Sequence, residues 1–71
     1  MSGAPSFAEL TRALVDDPEC RQTLTAELAA RTVDAELLRQ LIDYARRRQT
    51  TMGQAMARKV LTDAGVSWEA L

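Results

Sequence analysis

Residues 34–48, DAELLRQLIDYARRR, decide the fold of this 71-residue chain. Apolar side chains recur in this stretch at helical spacing, which predicts an amphipathic helix with a wide apolar face. That face consists of Leu37, Leu38, Leu41, Ile42 and Ala45. Asp34 is placed to accept hydrogen bonds from the unpaired N–H groups of the first turn. Because so wide a face could touch several neighbours at once, we expect this third helix to lie at the centre of the molecule.

Three further helices are predicted around this stretch. Ser6 and Glu9 have the spacing of a capping box, in which side chains at a helix start bond to backbone N–H groups, and Thr51 and Gln54 repeat that spacing. Asp17 is predicted to cap the second helix, and Pro18 suits its first turn, where the missing N–H would have no partner. The predicted helices are residues 7–16, 18–30, 34–48 and 52–64. We therefore expect an all-α fold, a small antiparallel bundle of about four short helices, in one domain over residues 1–71 with a lead-in at residues 1–5.

Each predicted helix carries a stripe of apolar residues for a shared core. The stripes are Phe7, Leu10 and Leu14 in the first helix, Cys20, Leu24 and Leu28 in the second, and Met52, Met56, Val60 and Leu61 in the fourth. Gly53 and Ala57 are small residues four positions apart, which permit close packing. Gly65 is expected to adopt the left-handed conformation that ends a helix. After it, Ser67 is expected to cap a last turn at residues 68–71, with Trp68 folded back onto the core.

The length and the single cysteine limit how this chain can be stabilised. A chain of this size buries only about 60% of its unfolded surface, and small domains commonly add a disulfide, a metal or a partner subunit. With one Cys and no His, an internal disulfide is excluded and a zinc site is not expected. Self-association is therefore expected. Cys20 shares a stripe with two leucines, so we interpret it as a buried structural residue rather than a reactive one.

Localisation is predicted from the same features. The chain begins without the basic start and apolar run of a signal peptide, and it has no run of about 18 apolar residues. Together with the unpaired cysteine, this pattern predicts a cytoplasmic protein. Arg outnumbers Lys eight to one, a bias typical of GC-rich bacterial genomes.

The charges divide the chain into an acidic and a basic part. Residues 1–43 hold four Arg against eight Asp or Glu, a net charge of −4, whereas residues 44–62 hold five cations and no acid, a net charge of +5. A polarised molecule of this kind is suited to binding a charged partner. The candidate contact residues for a protein or nucleic acid are Arg46, Arg47, Arg48, Thr51, Gln54, Arg58 and Lys59.

Two interpretations of these residues remain open at this point. Gln54 and Arg58 would share a polar face of the fourth helix, and Gln and Arg are residues that read base edges, while residues 46–48 would bind phosphates. Alternatively, the cations complement a helix C-terminus and the polar face is simply solvated. Since no catalytic set or cofactor motif is present, we expect a non-catalytic protein–protein interaction module that binds itself or another protein. The alternative function is a small DNA-binding regulator that uses residues 46–59.

Overall fold

A computed structural model describes residues 6–69 and contains four helices. They are α1 (Phe7–Asp16), α2 (Pro18–Ala30), α3 (Ala35–Arg46) and α4 (Met52–Asp63). The prediction of a small all-α bundle is confirmed, and α1 and α2 have the bounds that the sequence predicts. The predicted lead-in at residues 1–5 lies outside the described residues.

The helix starts follow the predicted capping chemistry. The Ser6 hydroxyl accepts from the N–H of Glu9 at 3.2 Å, and the Asp34 carboxylate accepts from the first turn of α3. Asp17 caps α2 in the same way, directly before its proline. At α4 both halves of the capping box form, since the Thr51 hydroxyl accepts from the Gln54 N–H and the Gln54 side chain accepts from the Thr51 N–H.

The central helix of the bundle is α4, and the expectation that α3 would be central is wrong. Within residues 6–69, α4 packs against each of the other three helices, whereas the backbone of α3 lies close to that of α4 only. The small residue Ala57 is fully buried on α4, so neighbouring helices can approach it closely. The buried apolar residues of the shared core are Leu14, Leu24, Leu28, Leu41, Ala45, Ala57, Val60 and Leu61.

The helix ends depart from the predictions in four places. Helix α3 stops at Arg46, two residues early, and α4 stops one residue early at Asp63. Trp68 and the residue after it form a bend instead of a helical turn, and residues 70 and 71 of the predicted last turn lie outside the described part. Met52 was expected in the core but is 62% exposed, because it is the first residue of α4 and precedes the packed turns.

Two helices end in left-handed residues, of which the sequence predicted one. Gly65 has φ +78°, as expected, and the N–H of Val66 then donates to the carbonyl of Leu61 at 2.9 Å. Helix α2 ends in the same hydrogen-bond pattern, but its left-handed residue is Arg31, with φ +60°. A side chain at such a position carries a steric cost that Gly avoids.

Candidate interaction surface

Two polar residues of α4 bind the carbonyl groups at the end of α3. Gln54 is fully buried, and its Nε2 donates to the carbonyl oxygen of Tyr44 at 3.3 Å while its Oε1 accepts from Thr51. One turn further along, Arg58 donates from Nε to the carbonyl oxygen of Ala45 at 2.8 Å and from Nη2 to that of Arg47 at 2.7 Å. The last carbonyl groups of a helix lack the usual donors within it, so these bonds supply donors to the carbonyl groups at the end of α3.

The tail of the chain folds over the same side of α4. The Arg58 guanidinium carbon lies 5.4 Å from the centre of the Trp68 ring, a cation–π arrangement. The Trp68 ring nitrogen donates to the Thr62 hydroxyl at 3.0 Å. Trp68 therefore does fold back, as the sequence predicts, although it covers the cation as well as core side chains.

These contacts correct the predicted polar face of α4. Both interpretations place the Gln54 side chain at the surface, but it is buried and bonded to Thr51 in the capping box and to Tyr44 at the end of α3. Arg58 is half-buried and committed to two backbone carbonyls. A buried polar side chain is tolerated only where its hydrogen bonds are made, and that requirement is met here. Gln54 therefore presents no polar group to a partner, and two of the three nitrogens of Arg58 are already bonded within the fold.

The other candidate residues lie on the surface as expected. Arg46, Arg47, Arg48, Thr51 and Lys59 are all exposed. Of these, Arg47 lies 3.7 Å from the Asp43 carboxylate, and Lys59 lies 3.4 Å from that of Asp63. Exposed pairs of this kind contribute little to stability, so both cations remain able to exchange partners.

A tight contact between Tyr44 and Gly53 fixes the corner between α3 and α4. A Cβ atom on Gly53 would lie 2.6 Å from the Tyr44 hydroxyl, so glycine is what lets the ring lie there. The hydroxyl is 3.4 Å from that of Thr51, and the ring meets the edge of Phe7 at a centroid distance of 5.4 Å. The small residue predicted for close packing thus accommodates an aromatic side chain of α3.

One flank of α3, beside its buried residues, carries an apolar strip. Ala35 is exposed, and Leu38 and Ile42 are only partly buried, so that one edge of each touches the core. Together with the charged residues Arg39, Asp43 and Arg46 they line a shallow depression of about 330 Å³. We call this set of six residues the α3 outer face. Its apolar floor and charged border are typical of a protein-binding surface rather than of a catalytic cleft.

Sequence reasoning missed the α3 outer face because it assigned Leu38 and Ile42 to the core. Helical periodicity shows that an apolar stripe is wide, but not how much of it the neighbours cover. One available signal was the alternation of Glu36, Arg39, Asp43 and Arg46 along one side of the helix. Charges at such spacing keep that side at the surface.

Cys20 is partly buried on α2. Burial raises the pKa of its thiol, and the nearby carboxylates of Asp17 and Glu27 raise it further. A thiol with a raised pKa is a poor nucleophile at neutral pH because little of it is ionised. This environment agrees with the interpretation of Cys20 as a structural residue.

Comparison of the chain with protein-family models, curated proteins and solved structures gave no match. Between residues 6 and 69, no helix has both the length and the apolar content needed to cross a bilayer. In the same range, the Cys, Asp and Glu side chains form no group of three that could hold a metal ion. The α3 outer face is thus the feature on which a functional proposal can be built.

Proposed function

We propose that this protein is a non-catalytic interaction module that self-associates through the α3 outer face. The observation that carries the proposal is that the backbone of α3 lies close to that of α4 only, which leaves Ala35 exposed and Leu38 and Ile42 partly uncovered. Contiguous apolar surface bordered by polar residues marks a site of protein contact. A second copy placed on this strip would complete the burial of both large side chains.

The size of the core supports self-association. Among residues 6–69, eight apolar residues are buried, and two of them, Ala45 and Ala57, contribute little apolar area. A domain with so small a core gains stability when a partner subunit buries further apolar surface. An unpaired Cys20 fits a reducing cytoplasm, where we place the protein.

The charges beside the strip favour a second copy over a strongly basic or acidic partner. Along one side of α3, Glu36 and Asp43 alternate with Arg39 and Arg46, so the net charge of this set is zero. A partner of one dominant sign would gain little from charges that balance along this side of the helix. Another copy of the same helix offers charges of both signs in equal number.

Sedimentation equilibrium of the wild type and Ile42→Lys tests this proposal. We expect the wild type to dimerise below 1 mM protein and Ile42→Lys to raise the dissociation constant about thirtyfold, the equivalent of about 2 kcal/mol. Met52→Lys places the same charge on the exposed apolar residue of α4 and should leave the dimer intact. A wild type that is monomeric at 1 mM would refute self-association.

The alternative function, DNA binding through residues 46–59, is supported by the exposed cations at the end of α3. Arg46, Arg47 and Arg48 lie directly before the N-terminus of α4, and cations and helix N-termini both favour phosphate. Because Gln54 and Arg58 are used inside the fold, we propose phosphate contact without base reading for this alternative.

A further inference from the structure

The charged residues on one side of α3 are symmetric about the middle of the helix. Glu36 and Arg46 each lie five residues from Leu41, and Arg39 and Asp43 each lie two residues from it. All four charged side chains are exposed. In both pairs, the two residues at equal distance from the centre have opposite charges.

This symmetry specifies how two copies can pair. When two α3 helices lie antiparallel about a two-fold axis near Leu41, Arg39 faces the partner's Asp43 and Glu36 faces the partner's Arg46. The two-fold axis repeats both contacts, which gives four opposite-charge pairs. In a parallel two-fold pair this flank of the two helices would lie on opposite sides of the contact, so none of these opposite-charge pairs would form.

We propose that the partner of the α3 outer face is a second copy of this chain, held antiparallel by these charge pairs; this inference rests on the proposed function. The apolar strip fits the same register. Leu38 and Ile42 are centred on residue 40, one residue from the charge centre, so with the charges paired Leu38 and the partner's Ile42 are offset by two residues, or about 3 Å of helix rise. The two side chains then lie diagonally across the contact, within reach of each other.

The ion pairs within one chain can open to allow these charge pairs between two chains. Arg39 lies 2.8 Å from Glu36, and Arg47 lies 3.7 Å from Asp43, but all four side chains are at least half exposed. Such pairs are weak and solvated, so they can open when a partner helix approaches. A helix of twelve residues is about 18 Å long, which places the contact in the small, transient class of interfaces.

A charge-swap series measured by sedimentation equilibrium tests the register. Arg39→Glu and Asp43→Arg alone each bring like charges together twice per dimer, and we expect each to raise the dissociation constant about tenfold. The double variant restores opposite charges, so its dissociation constant should return to within about threefold of the wild type. Lys59→Glu and Asp63→Arg make the same charge changes at the exposed pair on α4 and should leave dimerisation unchanged.

Each outcome of the charge-swap series supports or contradicts the antiparallel register. Recovery in the double variant supports the antiparallel register, provided that circular dichroism shows equal helix content in all variants. If the double variant stays as weak as the singles while Ile42→Lys still raises the dissociation constant about thirtyfold, the register is wrong and the proposed surface stands. If the wild type is monomeric at 1 mM, both the register and the proposed function fail.

Discussion

Replacing Arg58 with Met removes the guanidinium from the end of α3 and keeps most of the aliphatic stem. The carbonyl oxygens of Ala45 and Arg47 then lose hydrogen bonds of 2.8 and 2.7 Å. The Trp68 ring loses the cation that lies 5.4 Å from its centre. The substitution therefore tests whether Arg58 is part of the fold, as its contacts indicate, or a free surface cation.

The magnitude of the effect follows from these contacts. A hydrogen bond to a charged donor contributes about 1.5–3 kcal/mol when buried, and Arg58 is only half-buried, so we assign about 1 kcal/mol to each bond. A partly exposed cation–π contact adds about 0.5–1 kcal/mol. We expect Arg58→Met to lower the free energy of unfolding by about 2–3 kcal/mol, which corresponds to a Tm lower by about 10–20 °C in a domain of this size.

Urea unfolding, followed by circular dichroism and by Trp68 fluorescence, measures this difference. The matched control is Arg12→Met, the same substitution at an exposed residue of α1. That control should stay within about 0.5 kcal/mol of the wild type, as is usual for surface positions. If Arg58→Met is as stable as Arg12→Met, our explanation of how α3 ends is refuted.

Four further outcomes follow from the structure. Leu41→Ala empties a fully buried position and should lower the free energy of unfolding by about 2–5 kcal/mol in urea titrations. Gly65→Ala should lower the free energy of unfolding by about 1 kcal/mol in the same assay, because φ is +78° there and the space around the Cβ position is open. Arg31→Gly should raise the free energy of unfolding by about 0.5 kcal/mol, because Arg31 also has a left-handed backbone. If both substitutions changed the free energy of unfolding equally, backbone strain would not be the cause of these changes. Burial and two carboxylates raise the pKa of the Cys20 thiol. Alkylation of Cys20 should therefore be slow at pH 7 and reach half its maximal rate only above the ordinary thiol pKa of about 8.5. A half-maximal rate below about pH 8.5 would contradict this prediction. If the DNA-binding alternative holds, the affinity for duplex DNA should fall with salt at a log–log slope of about −0.9 per phosphate contact, and replacing residues 46–48 by Ala should flatten that slope; no binding at about 50 mM salt would end the alternative.

Local features of the sequence were sufficient to predict the four helices and most of the residues at which they begin. Ser6, Asp17, Asp34 and Thr51 were recognisable as caps because a capping side chain bonds to backbone only two or three residues away. Gly65 was recognisable because few other residues adopt a left-handed backbone without strain. These interactions join residues that are close in the sequence, so they can be predicted without knowing the tertiary structure.

Features that depend on distant contacts could not be predicted in the same way. Gln54 is buried where it bonds the carbonyl of Tyr44, which is ten residues away in the sequence. No helical pattern reveals that contact. The early end of α3 has the same origin, since residues 45–50 contain no Gly or Pro that would stop a helix. The uncovered side of Leu38 and Ile42 depends on which helices lie beside α3, and periodicity does not specify that.

Disulfide trapping between two differently labelled copies tests most directly whether the α3 outer faces meet. One copy carries Glu36→Cys and the other Arg46→Cys, both with Cys20→Ser so that no other thiol reacts. Under mild oxidation of the mixture, we expect the mixed 36–46 disulfide to form faster than either symmetric one, because an antiparallel pair places these positions opposite each other. Symmetric 36–36 and 46–46 disulfides in preference to the mixed one, or no disulfide at 1 mM protein, would contradict the proposed pairing.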